Sequence, residues 1–460
     1  MKRLLAALLV ITMASAFTLP ALAGDALAAP QSYVDKWGDI SADGKISLTP
    51  GGTDGSMNFS WVTSFFGEGF RFGTEPSLTE EDSVQAENIR FTSLLYIANR
   101  VSLTDLAPGT YYYSYTVNGV WQSESTFEIY DEQNGFTVMF CSDPQLGRSG
   151  DDTDIATIDD TYGWERTLNA AVLREPALSF ALVGGDEVNQ AYLKKQWNAL
   201  LYPAVLRSLP LATCVGNHDF YFNSYSAYFN NPNTREDEVL SMGGNGYYFT
   251  RGNALFIVLN SNNYLTGDHT ALIDEAVANN PDAKWRVVML HEGLYFAGAD
   301  SVELPNGEGF MAARELLCPV FDDYGIDLVL SGHYHVYSRS TAIKGGAASA
   351  DGTVYLSAGS ASGSNFDSAD GSEVSPLIDF YKNNDEPSYS LLSFSEDEIE
   401  VHSYGTDSGD EFDTFTLTKA SPFAGTRTGT SAIYLHIAAM AKSIIELILR
   451  AVPFDFTILK

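Results

Sequence analysis

The sequence is poor in basic residues. Its 460 residues include 26 Lys and Arg against 59 Asp and Glu, which gives a formal net charge of −33 at pH 7. Because the phosphate backbone of nucleic acids is bound by surfaces rich in Lys and Arg, this imbalance argues against a nucleic-acid partner. It also disfavours long-range attraction of anionic small molecules, unless a cluster of metal ions reverses the field in one cleft.

Cysteine is also scarce. The three cysteines, Cys141, Cys214 and Cys318, cannot be paired without leaving one over, so the sequence does not predict a disulfide framework. Cys141 and Cys214 follow apolar runs and stand next to polar segments with metal-binding residue types. Either could be a soft metal ligand. We favour the alternative that both are small, buried apolar residues.

The N-terminus has the pattern of an export signal. Lys2-Arg3 precede an apolar stretch over residues 4–19, and two Ala-Leu-Ala sites that end at Ala23 and Ala28 suit signal peptidase. We therefore predict a signal peptide over residues 1–28 and a secreted or cell-surface protein. The alternative is an uncleaved membrane anchor.

Strand and helix patterns divide the rest of the chain. Residues 35–131 contain short alternating strands separated by turns, which predicts an all-β sandwich domain. Over residues 134–419 apolar strands alternate with helical stretches, which predicts an α/β domain. The helical stretches are residues 165–174, 191–207, 270–279 and 309–323. Residues 420–432 read as a linker rich in Pro, Gly and Thr, and residues 433–453 as an amphipathic helix.

Five polar segments each follow an apolar, strand-forming run. They are Asp143-Pro144-Gln145, Gly184-Gly185-Asp186, Gly216-Asn217-His218-Asp219, Leu290-His291 and Gly332-His333-Tyr334-His335. A buried apolar run that stops at a polar turn is typical of a parallel strand. Open α/β sheets bind ligands at the carboxyl edge of such strands. The five segments therefore predict one site at one rim of a sheet.

The residue types in these segments point to metal ions. Divalent and trivalent ions take Asp, Asn, Gln and His as ligands. One bridging carboxylate can hold two ions about 3.5–4 Å apart, a spacing that suits in-line displacement at phosphorus. Asp186 is the candidate bridge, because two glycines before it allow close approach. His218 is well placed to protonate a leaving alkoxide, and Asp219 to hold its tautomer.

Taken together, these motifs resemble those of the calcineurin-like metallophosphoesterases. The run from Gly332 to Arg339 is similar to the purple acid phosphatase branch, as are the turn over residues 106–113 and the closing segment 413–417. The resemblance covers roughly residues 35–419. It implies a four-layer α/β/β/α metallophosphoesterase sandwich as the catalytic domain, preceded by an all-β domain like fibronectin type III.

The resemblance also implies a role for each site residue. Ion one would be held by Asp143, Gln145, Asp186 and His335. Ion two would be held by Asp186, Asn217, His291 and His333. His218 would contact the substrate phosphate and act as general acid, with Asp219 behind it. The nucleophile would be a metal-bound hydroxide, since bound ions lower the pKa of water from about 15.7 toward 7.

Two positions depart from the family pattern. The purple enzymes carry a Tyr that binds ferric iron where this chain has Asn189, and most of the wider family has His where this chain has Gln145. The tyrosinate colour should therefore be absent, and the two ions can be Fe, Mn or Zn. Arg148 and Arg339 are candidates for contacting phosphate oxygens. A surface or supporting role is an equal alternative for both.

The leading hypothesis for function is an exported phosphomonoesterase with two metal ions, similar to an acid phosphatase and acting on small phosphate esters. A phosphodiesterase or nucleotidase is the alternative on the same scaffold, because the motif residues are shared. An alternative from another class is a cell-surface binding protein that keeps the fold without turnover. That alternative predicts lost ligands, whereas every metal position here carries a competent ligand, although Gln145 is a weak one.

The C-terminal segment offers a first test. Lys442, Glu446 and Arg450 recur at every fourth residue and form one polar stripe, which disfavours a spanning helix. If the helix lies on a membrane surface, deleting residues 431–460 should release the protein from membranes without loss of hydrolysis. Unchanged partitioning between membrane and soluble fractions would instead favour docking of the helix on the protein.

Overall fold

The computed structural model describes residues 28–419 apart from residues 65, 92–95, 237, 239–242, 264, 299–313 and 372–373. Almost all of the predicted signal peptide, together with the linker and the amphipathic C-terminal helix, lies outside the described residues. These three assignments therefore stay predictions.

Seven α-helices are described. They are α1 (Gln31–Val34), α2 (Trp37–Ile40), α3 (Thr153–Arg174), α4 (Lys194–Leu200), α5 (Ser224–Tyr228), α6 (Thr266–Asn279) and α7 (Arg314–Tyr324). Short 3-10 turns cover Glu80–Asp82, Glu132–Asn134, Ala204–Arg207 and Tyr221–Asn223. Among the helices in the described part of the chain, none is long and apolar enough to cross a membrane.

The first and second predicted helices differ from those observed. Helix α3 begins well before the predicted residue 165, because the Asp152 side chain accepts hydrogen bonds from the main-chain N–H groups of Asp154 and Ile155 and caps the helix. Helix α4 is shorter than the predicted 191–207. Pro203 follows it, and a residue before proline is disfavoured in helical conformation, so the chain continues as a 3-10 turn.

Nine strands form two antiparallel sheets in the N-terminal part. They are β1 (Ile46–Pro50), β2 (Met57–Thr63), β3 (Phe70–Gly73), β4 (Ser83–Val84), β5 (Glu87–Phe91), β6 (Tyr96–Leu103), β7 (Gly109–Val117), β8 (Val120–Trp121) and β9 (Ser125–Ile129). One sheet has the order β1-β2-β6-β5, and the other has the order β4-β3-β7-β8 with β9 also paired to β7. Aromatic side chains from both sheets, including Phe59, Trp61 and Tyr113, share one core. The predicted all-β architecture is observed, and its fibronectin-like assignment stays a prediction.

The α/β part contains fifteen described strands. They are β10 (Phe136–Cys141), β11 (Leu178–Val183), β12 (Leu211–Thr213), β13 (Tyr247–Arg251), β14 (Ala254–Val258), β15 (Trp285–Glu292), β16 (Leu328–Gly332), β17 (Tyr337–Ser340), β18 (Ile343–Lys344), β19 (Ala347–Ala348), β20 (Val354–Ser357), β21 (Ile378–Lys382), β22 (Ser388–Phe394), β23 (Glu398–Gly405) and β24 (Glu411–Thr418). One sheet has the order β12-β11-β10-β22-β23-β24, and the second has the order β13-β14-β15-β16-β20-β17-β21. Strands β18 and β19 form a separate hairpin.

These two sheets pack face to face between helices. The inner core combines side chains of both sheets, such as Phe180 and Phe256, whose ring centroids are 5.4 Å apart. On the outer face of the first sheet, Trp164 of α3 and Trp197 of α4 are fully buried. On the outer face of the second sheet, side chains of α6 and α7 are buried in another core. Four layers result in the order α/β/β/α, in agreement with the predicted fold class.

Parallel pairing sets where the strand ends meet. Strands β10, β11 and β12 pair in parallel in the first sheet, and β14, β15, β16 and β20 pair in parallel in the second. The parallel strands predicted before the polar segments are therefore confirmed. Because parallel neighbours end on the same side of a sheet, their carboxyl ends form one rim in each sheet.

Arg251 of β13 joins the N-terminal sandwich to the α/β part. Its buried guanidinium donates hydrogen bonds to the carbonyl oxygens of Gly51 (3.2 Å), Thr53 (2.8 Å) and Ser56 (3.0 Å), and it lies 3.7 Å from the Glu132 carboxylate. A buried charge is tolerated only when such partners replace water. The loop between β1 and β2 is thereby fixed against β13.

Glu238 makes the stability of this fold depend on pH. It is a buried carboxyl group that accepts a hydrogen bond from Gly246 N (2.9 Å), and burial raises its pKa from 4.5 to about 7. A raised pKa in the folded state favours folding at low pH, and this contribution is lost as the pH rises from about 4.5 to about 7. Relative to the wild type, Glu238→Gln should therefore gain roughly 3 kcal/mol of unfolding free energy between pH 5 and pH 8.

Urea unfolding of both proteins at the two pH values measures this difference. The exposed Glu236 is two residues away, and Glu236→Gln is the matched control. Parallel pH profiles for the wild type and Glu238→Gln would contradict the assignment.

Candidate metal centre

The candidate site lies where parallel strands of both sheets end. Strands β10, β11 and β12 lead into Asp143, Asp186 and Asn217, and β15 and β16 carry His291 and lead into His333. Contacts cross from one sheet to the other. His333 N donates to Asp143 Oδ2 (2.9 Å), and His291 Nε2 lies 3.0 Å from Asn217 Oδ1. The structure thus brings all five predicted segments to one place.

Five of the predicted ligands have a positive φ. They are Asp143 (52°), Gln145 (40°), Asp186 (51°), His333 (74°) and His335 (52°). L-residues seldom adopt this left-handed conformation, which costs about 1–3 kcal/mol per residue. Such strain persists only where the surrounding structure fixes the chain, and it gathers at functional sites. The strained backbone conformations and the metal-binding side chains therefore occur at the same rim.

Main-chain hydrogen bonds hold the first two loops side by side. Asp143 N donates to Gly185 O (3.1 Å), and Gln145 N donates to Asp186 O (2.8 Å). These bonds continue the parallel pairing of β10 and β11 beyond the ends of the two strands. The side chains of Asp143, Gln145 and Asp186 are consequently presented together.

The glycine before Asp186 is needed for space. Gly185 has a φ of 94°, and a Cβ there would lie 2.6 Å from His291 Nδ1. Contacts between real Cβ atoms and ring nitrogens do not come so close, so any larger residue would push His291 away. The Gly-Gly-Asp segment thus permits the approach of β11 to the end of β15.

Asp186, His291 and His333 form one group whose ligand atoms all lie within 4.8 Å of one another. His291 Nε2 is 3.4 Å from Asp186 Oδ2 and 3.2 Å from His333 Nδ1. Asn217 Oδ1 lies 2.9 Å from His333 Nδ1. A carboxylate, two imidazoles and an amide oxygen are a donor set that suits borderline divalent ions. These are the four residues predicted to hold ion two.

The second donor group surrounds Asp143. His335 Nε2 lies 3.5 Å from Asp143 Oδ1. Asp143 Oδ1 and Gln145 Oε1 are buried acceptors that have no hydrogen-bond partner among the described residues. A buried polar atom left without a partner costs about 1–3 kcal/mol, and a cation would satisfy both oxygens. The donor set predicted for ion one therefore fits a metal ion.

Carbonyl oxygens orient two of the imidazoles. His291 Nδ1 lies 2.8 Å from Gly184 O, and His335 Nδ1 lies 3.1 Å from Asn365 O. A carbonyl oxygen only accepts, so each Nδ1 must carry a proton, and Nε2 is the ring nitrogen left to face a metal ion. Metal-binding histidines are commonly held in this way. Each Nε2 can therefore serve as a ligand once it carries no proton.

The buried carboxylates attract positive charge. Burial disfavours a proton on His291, but the Asp186 carboxylate outweighs it and raises the pKa of His291 to about 10. Burial, together with the neighbouring His291, lowers the pKa of His333 to about 3. A metal ion that binds His291 Nε2 must displace its proton, so metal affinity should fall as the pH falls.

His218 is half-buried at the rim. Its main-chain N donates to Asp186 Oδ1 (2.8 Å), and its Nδ1 lies 2.9 Å from Asn189 O. Because Asn189 O accepts the Nδ1 proton, Nε2 is the ring nitrogen that can carry a transferable proton. The Asn189 side chain donates from Nδ2 to Gly147 O (3.1 Å), so the residue at the position of the missing Tyr ties two loops together.

The structure corrects the position expected for Asp219. Its carboxylate accepts hydrogen bonds from Gly216 N (2.9 Å) and Glu187 N (3.2 Å), and it does not hold the His218 ring. The carbonyl oxygen of Asn189 has that role instead. Asp219 braces the loop after β12 against the loop after β11.

Glu187 is a buried acidic residue at the site. The sequence motifs did not single out this residue. It follows Asp186 directly and is fully buried. Burial and the neighbouring Asp219 raise the pKa of Glu187 well above its usual value. The second acidic residue in the Gly-Gly-Asp-Glu sequence was the available signal.

Two further strand ends support the site and were also missed. After β14, Asn262 Nδ2 donates to Gly216 O (3.1 Å) and holds the loop that carries Asn217. After β20, Ser360 Oγ donates to Asp143 O (3.0 Å). Both residues follow apolar strands, so the rule that found the other five segments applies to them as well.

The structure bears on two alternatives that the sequence left open. Arg339 pairs with Asp413 (2.9 Å) and with Asp379, and its guanidinium lies over the Phe415 ring, so it supports the fold and does not serve the phosphate. Cys141 and Cys214 are buried, and burial raises the pKa of both thiols. Both belong to apolar cores, as expected for small buried residues.

Comparison with known proteins agrees with this geometry. Residues 136–337 match the family described as calcineurin-like phosphoesterase. The chain is 26% identical to human acid phosphatase type 7 over 326 residues. The aligned segment covers 65% of this chain and 71% of the human protein.

Solved structures show the same fold. A purple acid phosphatase from yellow lupin (Lupinus luteus) seeds has a TM-score of 0.64 and 17% identity, covering 84% of this chain and 77% of the lupin chain. A structure of PhoD has a TM-score of 0.55 and 12% identity, covering 87% and 98%. Residues 136–337 therefore form a calcineurin-like phosphoesterase domain, and the chain is a metal-dependent phosphoric ester hydrolase similar to the purple acid phosphatase-like branch of that superfamily.

Proposed function

We propose that the protein is an exported phosphomonoesterase that uses two metal ions and acts on small phosphate esters. The observation that carries this proposal is the position of Asp186. Its carboxylate contacts the ion-two group through His291 Nε2 (3.4 Å), and its main-chain oxygen accepts from Gln145 of the ion-one group (2.8 Å). One acidic residue that contacts both donor groups suits an enzyme of the acid phosphatase type, as the name of the human relative also indicates.

The residues of this chain bind, orient and transfer protons around the ions. When bound, the ions supply Lewis-acid activation of a water molecule and of the phosphoryl group. Asp143 and Asp186, both buried, would hold the ions by charge. His218, half-buried and oriented by Asn189 O, donates its Nε2 proton to the leaving oxygen.

We propose Fe, Mn or Zn as the ions, with no phenolate ligand and no purple colour. Asn189 supports this, because its side-chain amide donates to Gly147 O and offers no anionic group. Gln145 is a neutral ligand and stabilises a trivalent ion less than an anion would.

The proposal also covers export of the protein and the type of its N-terminal domain. The basic and apolar pattern of residues 1–28 supports a signal peptide, and hence a secreted or cell-surface location. Two antiparallel sheets around one aromatic core support a fibronectin type III-like N-terminal domain.

Asp186→Asn tests the shared carboxylate. The Asn oxygen can still accept the hydrogen bond from His218 N, so the fold should persist, whereas the negative charge and the bridge are lost. We expect turnover to fall by more than about 100-fold. Loss of a residue that only hydrogen-bonds to a metal ligand already lowers metal affinity or activity about 10–100-fold. At least one ion per chain should be lost as well, measured by elemental analysis.

Asp397→Asn is the matched control, because it removes an exposed carboxylate whose partner is Lys284 and should leave turnover and metal content unchanged. Circular dichroism would check that both variants fold. Wild-type turnover and metal content in Asp186→Asn would show that the site is wrongly assigned.

Substrate preference tests the reaction type. We expect 4-nitrophenyl phosphate to be hydrolysed with a higher kcat/KM than bis(4-nitrophenyl) phosphate by protein loaded with Mn²⁺, Zn²⁺ or Fe²⁺. The Asp186→Asn protein prepared in parallel controls for contaminating phosphatases. A diester rate well above the monoester rate would establish the phosphodiesterase alternative. Absence of turnover with every ion and with nucleotides would favour the binding protein that keeps only the fold.

A further inference from the structure

A buried carboxylate on α3 clasps the turn that follows the first metal-binding segment. Asp160 is 1% exposed. Its Oδ2 accepts hydrogen bonds from three consecutive main-chain N–H groups, those of Gly147 (2.8 Å), Arg148 (2.9 Å) and Ser149 (3.3 Å). Three such donors replace the water that a buried carboxylate loses. The clasp thus joins the helix to one short stretch of main chain.

That stretch begins at a predicted ligand. Arg148 N also donates to Gln145 O (3.1 Å), which closes a tight turn from Gln145 to Arg148. Gln145 has a φ of 40° and Gly147 a φ of 97°, so the turn is held in the left-handed region at both residues. An L-residue stays in that region only when its surroundings leave no alternative. The Asp160 clasp is one of the contacts that impose it.

Gln145 depends on such support more than the other ligands do. Its amide oxygen is neutral, so charge does not draw it to a cation as it draws Asp143. Its Oε1 is buried and has no hydrogen-bond partner among the described residues, so contacts of the side-chain oxygen do not fix it either. The position of this oxygen is therefore set by the main chain of the turn.

We propose that Asp160 is a positioning residue that holds the Gln145 oxygen in place for ion one. The inference rests on the proposed two-ion function, and it assigns a role to a residue that touches neither the ions nor the substrate. The ligands of ion two lie on other loops, those after β11, β12 and β16, and on β15 itself. Loss of the clasp should therefore weaken one ion and spare the other.

The test measures Mn²⁺ binding to the full chain. Each protein is loaded with excess Mn²⁺, freed of unbound metal and analysed for Mn per chain, and the affinities are measured by titration. We expect about two ions in the wild type and about one in Asp160→Ala, with the weaker site losing about 10–100-fold in affinity. The electron paramagnetic resonance signal of a coupled Mn pair should give way to that of a single ion.

Four further variants separate positioning from general stability. Asp160→Asn keeps one acceptor oxygen and should restore part of the Mn content. Gln145→Ala should match Asp160→Ala, and the double variant should lose no more than either, because both act on one site. Asp152→Ala removes the N-cap of the same helix without touching the turn, and it should retain two ions.

Each outcome has one meaning. Two ions with wild-type affinity in Asp160→Ala would overturn the inference, and so would equal losses in Asp152→Ala and Asp160→Ala. If Asp160→Ala does not fold, the Asp160→Asn protein decides, and full Mn binding there together with an unchanged signal overturns the inference. Fewer than two ions in the wild type would instead overturn the proposed two-ion function, on which the inference rests.

Discussion

The parallel pairing of β10 with β11 is the interaction on which the site depends. Its hydrogen bonds continue past both strands, so that Asp143 N meets Gly185 O and Gln145 N meets Asp186 O. Two acidic side chains and one amide are thereby placed side by side. The remaining ligands come from loops that end against this pair, such as the His333 N–H on Asp143 Oδ2.

This arrangement concentrates negative charge where the fold least tolerates it. Asp143 and Asp186 are buried close together in a chain whose net charge is already −33. Burial raises the pKa of Asp143, while His291 and His218 counter burial and lower the pKa of Asp186. Bound cations would neutralise the two buried carboxylates and would also give Gln145 Oε1 a partner. The strain and the buried charge are thus explained together by metal binding.

The sequence predicted the contributions of side chains to the site well, and the contributions of the main chain less well. Asp186, His291 and His333 could be found because apolar runs end at them, and the structure brings them within 4.8 Å of one another. The partner of His218 could not be found, because it is a carbonyl oxygen and every residue has one. The Asp219 side chain was assigned that role by proximity in sequence, although a turn directs it to the loop after β11 instead. Asn262 and Ser360 were missed because Asn and Ser read as ordinary loop residues.

The N-terminal sandwich bears on the site through the segment after His218. Ser60 Oγ donates to Ala227 O (3.0 Å), and Asn58 Nδ2 donates to Asn230 O (2.8 Å), so β2 holds the end of α5 and the residues beyond it. Helix α5 has only five residues and is too short to be stable alone. Its position, and that of the chain leading back to His218, therefore depends on contacts with the sandwich. The sandwich supplies none of the predicted ligands, and its effect on catalysis would act through the placement of the proposed acid, His218.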